Sequence, residues 1–292
     1  MGDLSGKAVV LTGSGQGIGA ACAKAVAKRG ASIVVNDIDA ARAEAVVKEI
    51  TAAGGKAIAN TSDISKYDGA AALIEACVKA YGQIDGLVNN AGVIFPDLIE
   101  DAKERDMRLT MEVNVLGTAF CVAHAVRNMK PRKSGSIVNV CSGAQTGSPT
   151  LSAYSASKGA VASFTYSWAL ELKDSGIRVN GLLPMAETRM RSINDAYRSS
   201  HNMGLHPSPV VPPESNAPVV EYFLSDRSKD ITGQLLNIEG GKLALYVHPA
   251  RHFPVLEREA WSMELIDEAF REDFSRRLQP LGPAVLRATP VQ

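Results

Sequence analysis

Tyr154 and Lys158 stand four residues apart in Tyr154-Ser155-Ala156-Ser157-Lys158, and Ser142 lies twelve residues upstream. On a helix, positions i and i+4 share one face, so the phenol and the ammonium would reach into the same space. A cation beside a phenol favours the phenolate and draws its pKa down toward working pH. The pair is then an acid/base able to pass a proton to or from an alcohol oxygen. Tyr-x-x-x-Lys also arises by chance on ordinary helix faces, so the assignment depends on what surrounds it.

A second cluster lies near the N-terminus, where Thr12-Gly13-Ser14-Gly15-Gln16-Gly17-Ile18-Gly19 follows an apolar run and opens a helical pattern. Glycines there permit a tight turn and let backbone N–H groups at a helix N-terminus meet a pyrophosphate. Gly13, Ser14, Gln16, Gly17 and Ile18 are the candidate contacts. Asp37 ends Ile33-Val34-Val35-Asn36-Asp37, about twenty residues beyond the glycines. A carboxylate at that place accepts hydrogen bonds from ribose hydroxyls and repels a 2′-phosphate. With no Arg or Lys inside the glycine loop, NAD is favoured over NADP. Capping the next helix is a compatible role for Asp37. Asp63 could accept from an adenine amino group while Ile64 packs on the ring, or Asp63 could cap the following helix. Asn89-Asn90-Ala91-Gly92 offers small and amide side chains as a wall beside the cofactor ribose, with Asn90, Ala91 and Gly92 as candidates.

The elements that must position these groups alternate in type. Strand-like runs fall at 7–12, 32–36, 56–60, 86–89, 136–140, 178–183 and 234–238. Helical patterns fall between them at 18–28, 40–51, 70–80, 110–129, 156–173 and 213–224. Continuous Val/Ile/Leu strands alternating with helices predict a Rossmann-type, doubly wound parallel sheet of seven strands with helices on both faces. Ligands of such sheets bind at the carboxyl ends of the strands, where the motifs above cluster. Residues 1–241 read as the dinucleotide-binding and catalytic domain, and 242–292 as a C-terminal extension. In the extension Trp261, Leu265, Ile266, Ala269 and Phe270 recur at helical spacing, as in a helix packed on the body or on a partner subunit, or a lid over the substrate mouth. The polar, then proline-rich stretch 190–212 reads as an irregular excursion beside the site.

Composition narrows the function classes. The 292 residues are 46% hydrophobic with a formal net charge of zero, so neither a nucleic acid nor an anionic membrane is an expected partner. No unbroken apolar run reaches the roughly 18–20 residues of a membrane span, and strand-like sequence begins too early to leave room for a signal peptide. Cys22, Cys77, Cys121 and Cys141 stand singly among apolar neighbours and read as buried reduced thiols, as in a cytoplasmic protein. The five histidines lack metal-site spacing, and no metal is expected.

Together the loop at 12–19, Asn89-Asn90-Ala91-Gly92, Asn114, Ser142 and Tyr154 with Lys158 resemble the short-chain dehydrogenase/reductase family over about residues 5–241. The resemblance implies that Tyr154 exchanges the proton with the substrate oxygen and that Ser142 steadies that oxygen. It implies that Lys158 lowers the Tyr154 pKa and binds the nicotinamide ribose, and that Asn114 holds a water linking Lys158 to solvent. Tyr154, Lys158, Pro184 and Thr188 would then also touch the cofactor, the backbone near 186–188 facing the carboxamide. Two features depart from the family's pattern: Pro184-Met185 replaces a usual Pro-Gly, and the Ser142–Tyr154 spacing is one residue short. The segment 184–190 and Val34-Val35-Asn36-Asp37 are similar to the hydroxyacyl-CoA dehydrogenase domain of multifunctional β-oxidation enzymes and to related bacterial steroid and cyclic alcohol dehydrogenases. The expected activity is hydride transfer between NAD and a moderately large, apolar secondary alcohol or ketone (3-hydroxyacyl thioester, steroid or cyclic alcohol type), in a homodimer or homotetramer joined through 110–129 and 156–173. A dinucleotide-binding scaffold without turnover, or dehydratase or epimerase chemistry on the same fold, are the alternatives.

Overall fold

A strand in the middle of a parallel sheet has no solvent side, and β1 (Ala8–Leu11) is buried at all four positions. The computed structural model describes residues 3–204, 211–249 and 255–278. It adds β2 (Ser32–Asn36), β3 (Lys56–Asn60), β4 (Gly86–Asn89), β5 (Gly135–Val140), β6 (Ile177–Pro184), β7 (Leu235–Glu239) and β8 (Lys242–Leu245) in the order β3-β2-β1-β4-β5-β6-β7-β8. The first seven are parallel, and β8 turns back antiparallel on β7. The sheet thus has one strand more than expected, taken from the stretch read as extension.

Alternation along each strand feeds two cores. Val9 and Leu11 of β1 and Ile33 and Val35 of β2 face one side, where α1 (Gly17–Lys28), α2 (Ala40–Ala52) and α8 (Ala217–Leu224) cover them. Ala8, Val10 and Val34 face the other, under α3 (Tyr67–Tyr81), α5 (Thr118–Met129) and α6 (Ser152–Leu172). Strand order reverses between β1 and β4, and the crevice at such a switch point lies at the carboxyl ends where both motif clusters sit.

Three expectations need correction. The single helix 110–129 is α4 (Glu104–Thr110), a π-helical stretch Met111–Gly117, and then α5. Within the helical run Glu104–Arg132 an 18-residue window has mean hydropathy 1.4 and is, by length and composition, apolar enough to cross a membrane. Its inner residues Cys121, Val122, Ala125 and Met129 lie in the core, as in the buried helix of a folded domain. Finally, the supposed irregular excursion begins with α7 (Arg189–Ser200), capped by Thr188. No residue of α7 is buried, and its apolar Met190, Ile193 and Tyr197, though at helical spacing, are few among polar neighbours. Positions 205–210 of that excursion lie outside the described residues.

The chain divides into two compact units, Met1–Tyr246 and Val247–Gln292. The second contains α9 (Met263–Glu272), with Ser262 accepting from the Leu265 amide at its N-terminus, and Trp261 just before it. All four cysteines are buried free thiols.

In the first unit Phe223 is fully buried, and its carbonyl accepts from Ser136 Oγ and from the Arg178 guanidinium, each at 2.7 Å. Phe223→Ala should lower unfolding free energy by about 3–5 kcal/mol in chemical denaturation, the range for deleting a buried aromatic.

Candidate functional site

The glycine loop is fixed from below. Thr12 Oγ1 accepts from the amides of Asn90 (3.0 Å) and Ala91 (3.1 Å), and Asn90 Nδ2 donates back to the carbonyls of Thr12 (3.0 Å) and Gly13 (2.8 Å). Gly13 has φ +58, and a Cβ there would lie 2.6 Å from Ala91 Cα, so only glycine fits. Ser14, fully buried, donates from Oγ to Leu11 O and from its amide to Asn36 O, both at 2.8 Å, which ties the loop to β2. At the mouth of α1 the Gln16 side chain makes no cap hydrogen bond, so the first-turn amides of Gly17, Ile18 and Gly19 stay uncapped by it. A Cβ on Gly17 would meet nothing nearer than Thr188 Cγ2 at 3.9 Å. An uncapped helix N-terminus beside open space fits a pyrophosphate.

Asp37 is half-buried at the end of β2, its Oδ2 accepting from the Gly15 amide at 3.1 Å and its Oδ1 from the Asp39 amide at 3.1 Å. Asp39, not Asp37, caps α2. A carboxylate holding two backbone donors keeps lone pairs for a diol. Arg42 Cβ lies beside Gly15, a cation the sequence reading overlooked, with its Nε paired to Asp39 at 3.0 Å. Asp63 closes a turn by accepting from the Ser65 amide at 2.9 Å, while Lys66 occupies the N-cap position of α3. Ile64 is 5% exposed and packs against Gly117 in the core.

The second cluster meets where β4, β5 and α6 converge. Ser142 lies two residues past the end of β5, its Oγ accepting from the Ala144 amide at 3.2 Å, and its hydroxyl is near enough to the Tyr154 phenol to favour the phenolate. Lys158 is 4% exposed; its Nζ donates to Val140 O at 2.6 Å and sits 5.7 Å from the Tyr154 ring centroid. Asn114 lies in the π-helical stretch, where Oδ1 accepts from Val93 N (2.8 Å) and Nδ2 donates to Val93 O (3.1 Å) and Ser157 Oγ (3.0 Å). Both Nδ2 hydrogens are thus used within the protein, clamping the β4 loop to α6. Pro184 closes β6, and Met185 continues the ladder, donating to Ile238 O at 3.1 Å.

Sequence reasoning missed the walls. Met190 Cε reaches to within 3.6 Å of a Cβ position on Gly92, Tyr197 Oη accepts from the Leu98 amide at 3.1 Å, and Thr150 Oγ1 donates to Asn194 Oδ1 at 3.2 Å. Thr150 has φ +69, a left-handed conformation that costs a β-branched residue about 1–2 kcal/mol. No turn residue in its place marked it. A cavity of about 270 Å³ lies at the amino ends of the strands, lined by Lys7, Asp85, Arg178 and Asp226, away from every candidate site residue.

Electrostatics modify one expectation. Burial pushes the Tyr154 phenol above its ordinary value, partly offset by the Ser142 hydroxyl, so the spacing with Lys158 alone does not lower it. Burial likewise pulls Lys158 from 10.5 down to about 8. Because the folded pKa is the lower one, the folded chain releases this proton first, and stability rises with pH across the window from about 8 to 10.5. Relative to Lys158→Met, the parent should gain about 3 kcal/mol over that window in pH-dependent denaturation.

A family model described as short chain dehydrogenase matches residues 7–197. An uncharacterized oxidoreductase from Methylorubrum extorquens is 39% identical over 248 residues, covering 82% of this chain and 99% of that one. A cis-4-hydroxycyclohexanecarboxylate dehydrogenase from Sinomonas cyclohexanicum is 35% identical over 244 residues, covering 82% and 97%. The crystal structure of a short chain dehydrogenase from Mycobacterium avium, 32% identical, aligns with a TM-score of 0.84 over 97% of this chain and 99% of that chain. The chain therefore belongs to the short-chain dehydrogenase family, oxidoreductases that interconvert alcohols and ketones with a nicotinamide dinucleotide.

Proposed function

We propose that this chain interconverts a secondary alcohol and its ketone with NAD, using Tyr154 as the acid/base. The observation that carries the reading is the buried Lys158, its Nζ 5.7 Å from the Tyr154 ring centroid, with Ser142 beside the same phenol. When bound, the dinucleotide exchanges the hydride. Tyr154 Oη holds the proton at the substrate oxygen. Ser142 Oγ takes the Ala144 amide on one lone pair, which leaves its hydrogen for the same oxygen. Lys158, held by Val140 O, supplies the positive charge that steadies a phenolate once solvent is displaced. Asn114 fixes α6 through Ser157.

Asp37 at the Gly15 amide supports NAD, since a 2′-phosphate there would face a carboxylate while Arg42 is neutralised by Asp39. For the substrate the reading keeps cyclic secondary alcohols and 3-hydroxyacyl thioesters side by side, because relatives are named for a hydroxycyclohexanecarboxylate and for a 3-oxoacyl thioester. Assembly as a homodimer or homotetramer is part of the same reading, and α5 and α6 with the turn before them expose Leu116 and Leu170.

A panel of cyclic alcohols, hydroxysteroids and 3-hydroxyacyl-CoA thioesters, followed by NADH absorbance, should give turnover that Tyr154→Phe reduces about 10²-fold or more. Undiminished turnover in that variant would refute the acid/base. Asp37→Ala should narrow the preference for NAD over NADP by about tenfold or more, measured as the ratio of kcat/KM values. An unchanged ratio would remove Asp37 from cofactor choice.

A further inference from the structure

Thr150 and Leu151 form the lead-in to α6, three residues before Tyr154. Leu151 occupies the N-cap position, and its carbonyl accepts from the Ser155 amide at 2.7 Å, so the path of this lead-in sets where the first turn begins. On one side it is held by β4's loop: Thr150 O accepts from the Asp97 amide at 2.9 Å, and Leu151 forms a parallel bridge with Asp97. On the other it is held by α7, through the Thr150 hydroxyl and Asn194 Oδ1 at 3.2 Å. Thr150 is 5% exposed and carries φ +69, which a β-branched residue keeps only where its surroundings enforce it. Beside it lies a cavity of about 20 Å³, room for about one water, lined by Phe95, Asp97, Thr150, Ser152 and Ala153 among others. The same α7 also holds the β4 loop itself, where Tyr197 Oη accepts from the Leu98 amide next to Asp97, and Met190 stands by Gly92.

We propose that Asn194 is a positioning residue: seated against the site, α7 holds Thr150 in its left-handed conformation through Asn194, and that conformation places Tyr154 at the mouth of α6. When α7 lifts, the Thr150 hydroxyl loses its acceptor, the strained backbone relaxes, and the Tyr154 hydroxyl leaves the Ser142 hydroxyl. The proton-transfer group is thereby assembled only under a seated α7, which couples covering of the substrate to readiness for chemistry. The functional part of this inference rests on Tyr154 being the acid/base; the structural coupling does not.

The two are separated by reading Tyr154 directly. In the full-length protein labelled with ¹³Cζ-tyrosine, the Tyr154 resonance is the one absent from Tyr154→Phe, and it is followed through neutral and alkaline pH. Asn194→Ala and Thr150→Ala should each move its chemical shift at neutral pH and shift its titration by on the order of half a pH unit or more, because its burial and its Ser142 contact change together. The double variant should move it no further than either single one, as for two members of one contact. Thr150→Ser, which keeps the hydroxyl, should leave the resonance with the parent. Thr150→Gly should raise the melting temperature by removing strain and still displace the resonance. A Tyr154 resonance and titration unchanged in both Asn194→Ala and Thr150→Ala overturns the proposal. If instead the resonance moves as described while Tyr154→Phe keeps its turnover, the coupling stands and the acid/base assignment falls. With a substrate from the panel, Asn194→Ala should lower kcat about tenfold with KM for NAD unchanged, whereas an effect on KM alone counts against positioning.

Discussion

Everything at the mouth of this sheet depends on the exchange between Thr12 and Asn90. One hydroxyl takes two amides of the β4 loop, and one amide side chain returns to two carbonyls of the β1 loop, so neither loop has an independent position. The reciprocity brings Gly13 so close to Ala91 that no side chain could stand between them. With the two loops locked, the N-terminus of α1 points its amides at a fixed place, and the start of the Val93 segment is fixed for Asn114 to grip. Buried hydrogen bonds of this kind contribute about 1 kcal/mol each in net stability, but leaving one partner alone costs more, which is why they act as a unit.

The proton-transfer cluster is built on a different principle, the withholding of water. Lys158 is held in a place where its charge is disfavoured, and the single carbonyl of Val140 does not replace full hydration. Tyr154 is raised for the same reason. In such surroundings a small change of wetting or of nearby charge moves both groups by amounts that water would damp. The cluster is therefore responsive to whatever covers it, and the neighbouring α7 meets the body through Met190, Asn194 and Tyr197 without a buried face of its own.

Residue chemistry and strand patterning made much of this legible in advance. The glycine loop, Asp37 and the Ser142, Tyr154, Lys158 set stood out because each residue type has a restricted use, and the Val/Ile/Leu runs located the strands to within one or two residues. The parts that stayed hidden share a cause. α7 buries nothing and sets only Met190, Ile193 and Tyr197 at helical spacing among polar residues; the widened turns at Met111–Gly117 interrupt no pattern; Thr150 bears a left-handed backbone without the glycine or asparagine that would signal it. Direct backbone capping also escaped notice, as with Asp39 taking the α2 cap beside Asp37. Desolvation of Tyr154 and Lys158 belongs to tertiary packing, and spacing along one helix could give only the sign of their mutual attraction.

The π-helical stretch around Asn114 limits chain length as well as geometry. A π-bulge accommodates one residue more than the α-helical path it interrupts, and each α-helical residue turns the chain by about 100°. Loss of that one residue would return the segment to the α-helical path with later positions in register, whereas a further gain would rotate them, carrying Cys121, Val122, Ala125 and Met129 out of the core and polar neighbours such as His124 and Asn128 toward it. Among variants of this chain the segment can therefore shorten by the one residue that the bulge holds, but it cannot lengthen as a surface loop would.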